Sequence, residues 1–143
     1  MAFIDEARGW VGKEFDTTEF ELVEAEMLAF AEACGEIDPR FVDPGHPEFQ
    51  AVPTYTARFV GRRTLPENFP QPHGRGFDGG KTVTVHGPAC AGDTLIGHSK
   101  IAEVYQKTGR SGPMTFIVHR MEFENQQGEK VSVVDWRMVR QED

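Results

Sequence analysis

The spacing of apolar residues changes period along the chain, and each change predicts a new element. Residues 15–22, FDTTEFEL, alternate loosely between apolar and polar positions and predict a first strand. The next segment, VEAEMLAFAEACGE, has apolar residues at i, i+3, i+4 and i+7, the spacing of a helix face buried in a core. These residues are Met27, Phe30, Ala31 and Cys34. Because Gly35 adopts positive φ without strain, the helix is predicted to end just before it.

Proline and glycine are frequent in residues 36–80, where a short helix around Tyr55–Arg63 is the only regular element expected. Long irregular segments in compact domains are usually functional or mobile. Residues 37–53 have few periodic apolar residues, so little burial holds them. We therefore expect them to be the most mobile ordered part of the protein.

From about Gly76 the period becomes two, which predicts successive strands. KTVTVH places its two valines on one face, and TLIGHSKIAEVYQK predicts a strand bent near Gly97. A turn signal at 107–113 precedes MTFIVHRMEF, which is apolar on both faces and is predicted to be buried on both sides. NQQGE predicts a hairpin turn before a last strand, KVSVVDWRMVR. The pattern predicts one α+β domain, residues 1–143, with an antiparallel sheet that curls around a central helix.

Charge and composition narrow the functional classes. The 143-residue chain carries a net charge of −8, which argues against nucleic acid or an anionic membrane surface as its main partner. No apolar run approaches the roughly 20 residues that cross a bilayer, and the N-terminus does not resemble a signal peptide. We expect a cytoplasmic protein in which Cys34 and Cys90 are buried free thiols rather than a disulfide.

Three segments together resemble the MaoC-like dehydratases and (R)-specific enoyl hydratases, which have the hot-dog fold. FAEACGEIDPRFVD is similar to the hydratase motif F-A-x-x-x-G-D-x-N-P-x-H-x-D, and AGDTL is similar to a turn of the family. VYQKTGRSGPMTFIVHRMEFENQQGEKV is similar to the N-terminal dehydratase-type branch. The resemblance covers nearly the whole chain and implies a hot-dog sheet wrapped around one helix.

The chain differs from the family motif at the residues that carry out the chemistry. In catalytic members an aspartate and a histidine five residues later activate water or remove a proton beside a thioester carbonyl. The matching residues here are Glu36 and Phe41, while Asp38 replaces the asparagine. Glu36 retains a carboxylate that could serve as a lone base, but Phe41 cannot transfer a proton. Asp38 and Asp43 also suit a second role, as caps of turns.

The resemblance also implies how a chain that lacks the histidine would function. Several MaoC-like hydratases are heteromers in which one chain carries the dyad and its sister, with an aromatic residue in place of the histidine, shapes the acyl channel. We expect this chain to be such a sister, with Phe41 in contact with the acyl chain, in a homodimer or in a heteromer with a dyad-bearing chain. An acyl thioester of coenzyme A or carrier protein would be its ligand, with no cofactor. A non-catalytic acyl-binding or scaffold protein and a thioesterase are the alternatives.

Other candidate site residues lie after the loop. The resemblance implies that a backbone N–H at Thr54 or Tyr55 binds the thioester oxygen, since Pro53 has none. His46 could replace the lost histidine if the loop folds back, and His73 precedes a glycine where relatives often have His-Gly. The histidines show no metal-binding spacing. Lys107 and Arg110 suit either an ordinary basic turn or a contact with a coenzyme A or carrier-protein phosphate.

Overall fold

A five-stranded antiparallel sheet is the main element of the computed structural model, which describes residues 2–142. The strands lie in the order β1-β3-β4-β5-β2, so β1 and β2 are the two edges. The antiparallel sheet predicted from the period-two pattern is confirmed. The strands are β1 (Glu14–Glu21), β2 (Arg75–Val85), β3 (Thr94–Gly109), β4 (Gly112–Glu124) and β5 (Lys130–Gln141).

Four short helical elements accompany the sheet within residues 2–142: α1 (Phe3–Arg8), α2 (Glu24–Ala33), α3 (Pro39–Val42) and a 3₁₀ turn (Tyr55–Arg58). Helix α2 is the predicted helix, and the chain leaves it through Gly35 at φ +70°, as expected. The sequence pattern did not predict α1 or α3. The helix expected over Tyr55–Arg63 ends at Arg58, because Phe59 adopts an extended conformation. None of the helices within residues 2–142 has the length and hydropathy needed to cross a membrane.

Helix α2 packs through Met27 and Ala31 into the larger of two apolar clusters, which we call the main core cluster. Its buried members come from the helical elements α2, α3 and the 3₁₀ turn, from connecting loops and from β3, β4 and β5. They include Leu22, Phe41, Tyr55, Leu95, Phe123 and Val131. The second cluster joins α1 to β3 and β4 through Ala7, Phe69, Ile101, Val104 and Ile117. The sheet and the central helix therefore share one core, as predicted.

The prediction of two buried thiols is wrong for Cys34. Both cysteines are free, Cys90 is half-buried, and Cys34 is exposed. The last helical residue of α2 is Ala33, and Cys34 is only its C-cap. The apolar stripe therefore leaves the core after Ala31, three residues before the spacing alone suggested.

In β3 the pairing irregularity lies between Ile101 and Glu103, and the register runs unbroken through Gly97, near which a bend was expected. One turn prediction needs correction. The turn signal at 107–113 is mostly strand, because β3 continues to Gly109 and β4 begins at Gly112.

Strand β4 is not buried on both sides. Its inward face is buried, whereas most of its outward residues are half-exposed. The outward face carries charges that are paired across strands. The Arg120 guanidinium binds the Asp135 carboxylate at 2.7 and 2.8 Å, and Lys100 contacts Glu122 at 2.7 Å.

Candidate functional site

The loop after α2 holds Glu36 against its own backbone. Gly35 reverses the chain direction, and Oε1 of Glu36 then accepts hydrogen bonds from the N–H groups of Ile37 at 3.0 Å and Asp38 at 3.1 Å. The side chain is half-buried. The carboxylate at the position of the family's aspartate therefore stabilises the loop through hydrogen bonds to its backbone.

Asp38 and Asp43 both cap turns in this loop. Asp38 is the N-cap of α3, where its carboxylate accepts from the Arg40 N–H at 3.0 Å and pairs with the guanidinium at 2.8 Å. The hydrogen bond from the Arg40 side chain, followed by the one from its backbone N–H, lowers the pKa of Asp38. Asp43 accepts from the Gly45 N–H at 2.9 Å. Both acids thus stabilise backbone geometry, the second role expected for them.

Phe41 is buried at the position that corresponds to the family's histidine. Its ring is 9% exposed and belongs to the main core cluster, together with Met27 and Tyr55. The Arg40 guanidinium lies over the ring at 5.1 Å. An aromatic ring in this place excludes water and presents an apolar surface, but it can neither accept nor donate a proton.

The two candidate histidines do not complete a dyad with Glu36 in this structure. Nδ1 of His46 accepts from the Glu48 N–H at 3.0 Å, so its ring is bound to its own loop. His73 is exposed immediately before β2, beside Gly74 at φ +83°. Residues 2–142 show no hydrogen bond from either imidazole to Glu36. Within the same residues, no group of three or more histidine, cysteine or acidic side chains is arranged to hold a metal ion.

The basic residues of the β3–β4 turn lie on an aromatic pair at the hairpin. Nζ of Lys107 is 5.7 Å from the ring centroids of both Tyr105 and Phe116, which stack at 4.8 Å. Lys107 and Arg110 are exposed.

The segment before the 3₁₀ turn leaves the exposed Thr54 amide available for a ligand. The Tyr55 N–H donates to the Val52 carbonyl at 3.0 Å, so it is already used. The Thr54 N–H, in contrast, makes no hydrogen bond with any part of the chain from residue 2 to residue 142. Its chain neighbours Pro53 and Tyr55 line a mostly apolar cleft, together with Val52 of the loop, Val85 of β2 and Val131 of β5. Of the two predicted donors, the geometry therefore favours Thr54.

Three polar contacts that the sequence analysis did not identify hold the 3₁₀ turn in place. The hydroxyl groups of Thr56 and Ser132 form a buried hydrogen bond at 2.9 Å, which joins the turn to β5. The Arg58 guanidinium donates to the Tyr55 hydroxyl at 2.9 Å and contacts Glu26 of α2 at 3.3 Å. Burial raises the pKa of Tyr55. Because the contacts of Thr56 with Ser132 and of Arg58 with Glu26 join residues far apart in the chain, local spacing gave no signal of them.

Comparison with known proteins identifies the family. The model of the FAS1-like dehydratase domain region matches residues 9–134. The chain belongs to this dehydratase family. Comparison with curated proteins gives no match in sequence.

Solved structures agree on the architecture of this dehydratase-family chain. A MaoC-like dehydratase from Rhodospirillum rubrum is 23% identical, with 93% of this chain and 94% of that chain aligned at a TM-score of 0.62. The ChsH1-ChsH2 complex from Mycobacterium tuberculosis is 15% identical, with 96% and 88% aligned and a TM-score of 0.68. HadBC, a (3R)-hydroxyacyl-ACP dehydratase complex from the same organism, is 19% identical, with 91% and 93% aligned at 0.61. These likenesses confirm the predicted hot-dog fold.

Proposed function

We propose that this chain is a subunit of a 3-hydroxyacyl-thioester dehydratase or enoyl-thioester hydratase. In this proposal the chain shapes the acyl channel while a partner chain with the aspartate–histidine dyad transfers the proton. The observation that carries the proposal is the burial of Phe41 at the position of the family's histidine. A side chain that is 9% exposed inside the main core cluster is suited to contact with an acyl chain and unsuited to proton transfer.

The geometry of the other site residues also supports a binding role for this chain and proton transfer by the partner chain. The Glu36 carboxylate accepts two hydrogen bonds from its own loop, and neither His46 nor His73 is hydrogen-bonded to it within residues 2–142. The Thr54 N–H beside the apolar cleft suits a thioester carbonyl, whose oxygen needs a donor. Two of the similar structures are complexes named for two components, ChsH1-ChsH2 and HadBC, which is compatible with a heteromer.

Hydration of a crotonyl thioester tests this proposal. The purified chain alone is expected to hydrate the substrate very slowly or not at all, because general acid–base catalysis by a positioned side chain contributes roughly 10²–10⁴-fold. Addition of a MaoC-like chain with the complete G-D-x-N-P-x-H motif is expected to give full turnover. The partner alone is the matched control.

Strong activity of the purified chain, abolished by Glu36→Gln, would refute the sister-subunit proposal. It would mean that Glu36 and a histidine of this chain form a complete site in solution. Binding of the acyl thioester without turnover, with the partner present, would instead support a non-catalytic acyl-binding protein. Hydrolysis to the free acid would support a thioesterase.

A further inference from the structure

The outward face of the sheet, opposite the two apolar clusters, carries a row of apolar side chains. The register places one residue from each of four strands side by side: Tyr105 of β3, Phe116 of β4, Val139 of β5 and Phe77 of β2. We call these four residues the outward row. The rings of Tyr105 and Phe116 stack with their centroids 4.8 Å apart, and Phe77 is 48% exposed. An apolar row therefore crosses the sheet from β3 to the edge strand β2.

No helical element within residues 2–142 covers the outward row, since all of these elements contribute to the two apolar clusters on the other face. Side chains alternate between the two faces of a strand, and the inward residues Ile117 and Met121 of β4 belong to those clusters. Val118 and Val139 are only 4% and 7% exposed, yet neither belongs to either cluster. The side chains of the outward face therefore cover each other, and an apolar face of this kind is a candidate interaction surface.

Exposed charges of opposite sign flank the outward row on β3. Glu103 precedes Tyr105 by two residues and Lys107 follows it by two, so the three side chains share the outward face. Neither Glu103 nor Lys107 forms an ion pair within residues 2–142. In contrast, charges farther along the same face are paired across strands. Glu103 and Lys107 are thus available to a partner of matching charge.

A second copy of this chain offers that match, because the same face carries both charges. If the two-fold axis of the pair runs across the strands along the outward row, β3 of one copy lies over β3 of the other. Glu103 then faces Lys107 of the second copy, and Met114 faces Val118. If the axis runs along the strands instead, β3 lies over β2, and Lys107 faces Arg75. Like charges that face each other oppose association, so the charges select the first arrangement.

We propose that the outward face of the sheet is an interface with a second copy of this chain, in which the outward rows pack together and Lys107 pairs with Glu103 of the copy. Two sheets that pack face to face keep their strands nearly aligned at a separation of about 10 Å, which an axis across the strands permits. This inference does not depend on the dehydratase function. It also differs from pairing at the β2 edge, because Tyr105 and Phe116 lie on inner strands.

An exchange of charges on β3 tests this interface. Lys107→Glu brings two carboxylates together across the two-fold axis, and Glu103→Lys brings two ammonium groups together. Each single variant is therefore expected to halve the mass measured by sedimentation equilibrium. The double variant, Glu103→Lys with Lys107→Glu, has opposite charges across the interface again and is expected to recover the wild-type mass. Lys130→Glu, at an exposed residue of β5 near the other end of the sheet, is the control with the same change in charge.

The mass measurements give a clear outcome in each case, and circular dichroism checks that every variant is folded. A wild-type mass of one chain would overturn the proposal, as would a mass that neither single variant lowers. A double variant that stays at the lower mass would also overturn it, because the single effects would then not come from a contact between residues 103 and 107 of two copies. Since no substrate is present, these outcomes are distinct from failure of the dehydratase proposal.

Cross-linking tests the relative orientation of the two sheets. Tyr105 lies near the two-fold axis, so Tyr105→Cys is expected to give a cross-linked dimer with a short bismaleimide. The variant is made together with Cys34→Ser because Cys34 is exposed, and Cys34→Ser alone controls for the half-buried Cys90. Val133→Cys, six residues from Val139 on the same face of β5, is far from the axis and is expected to give no cross-link. No dimer from Tyr105→Cys, or equal amounts from both variants, would overturn the proposal.

Discussion

The guanidinium carbon of Arg40 lies 5.1 Å from the centroid of the Phe41 ring, so a cation covers the aromatic residue at the position of the family's histidine. Beneath the ring lies the main core cluster. The pair thus holds the loop after α2 against the apolar core.

Phe41→Ala is expected to lower the free energy of unfolding by about 3 kcal/mol, because it leaves a cavity among buried neighbours. Urea denaturation of the purified chain measures the change. Val42→Ala, at the adjacent exposed residue, is the control and is expected to change the value by less than about 0.5 kcal/mol. In a complex with a dyad-bearing partner, Phe41→Ala is also expected to alter the preferred acyl-chain length. An unchanged stability would show that Phe41 is not a core residue.

Glu36 is expected to matter for the loop rather than for the reaction. Glu36→Gln retains an oxygen that can accept from the N–H groups of Ile37 and Asp38, so stability and the rate of the complex are expected to change little. Glu36→Ala removes both bonds and is expected to cost about 1 kcal/mol of unfolding free energy. A fall in rate within the roughly 10²–10⁴-fold range for Glu36→Gln, measured with crotonyl thioester, would instead identify a general base.

His98 is expected to make stability depend on pH. Its imidazole bridges Glu124 of β4 at 3.0 Å and Glu14 of β1, and the bond to Glu124, followed by the one to Glu14, raises its pKa. A raised folded-state pKa stabilises the protein fully below the unfolded value of about 6.5, and this stabilisation is lost as pH rises through the folded value. The advantage of the wild type over His98→Gln in urea denaturation should therefore shrink above about pH 6.5.

The matched control for this pH effect is His86→Gln, at an exposed histidine of the same protein. Its stability relative to the wild type is expected to vary less with pH than that of His98→Gln. A constant difference between the wild type and His98→Gln across the range would show that the two ion pairs do not form in solution.

The chain is expected to form a dimer or higher oligomer through a sheet edge. Strand β2 is an edge strand of 11 residues that are nearly all exposed, and Phe77 on it is 48% exposed. A long exposed edge with apolar side chains favours pairing with another strand. Light scattering is expected to show a smaller species for Phe77→Lys than for the wild type. Val60→Lys, at an exposed apolar residue outside the strands, is the control. A wild-type mass equal to one chain at micromolar concentration would contradict this prediction.

Periodic elements could be predicted from the sequence because they depend on neighbours in the chain. The helix period identified α2, Gly35 marked its end, and the period of two identified the strands of an antiparallel sheet. Helices α1 and α3 were missed because each is too short to show a periodic stripe.

The residues of the candidate site could be predicted from the sequence, but their hydrogen bonds and burial could not. The motif located Glu36 and Phe41, and the side chain of Phe41 alone excluded proton transfer. The hydrogen bonds of these residues depend on the path of the folded backbone. The Glu36 carboxylate accepts hydrogen bonds from its own loop. The Tyr55 N–H donates to a backbone carbonyl, whereas the Thr54 N–H has no partner within residues 2–142.

The sequence by itself determined the family, the types of the periodic elements and the missing histidine, since these follow from residue identity and local spacing. Only the tertiary structure decided which polar atoms are paired. The pattern assigned His119 to an apolar strand face, and only the fold shows that its side chain is buried with no hydrogen-bond partner for Nε2 within residues 2–142. Burial and hydrogen bonding are properties of atoms brought together from distant parts of the chain, and no local pattern records them.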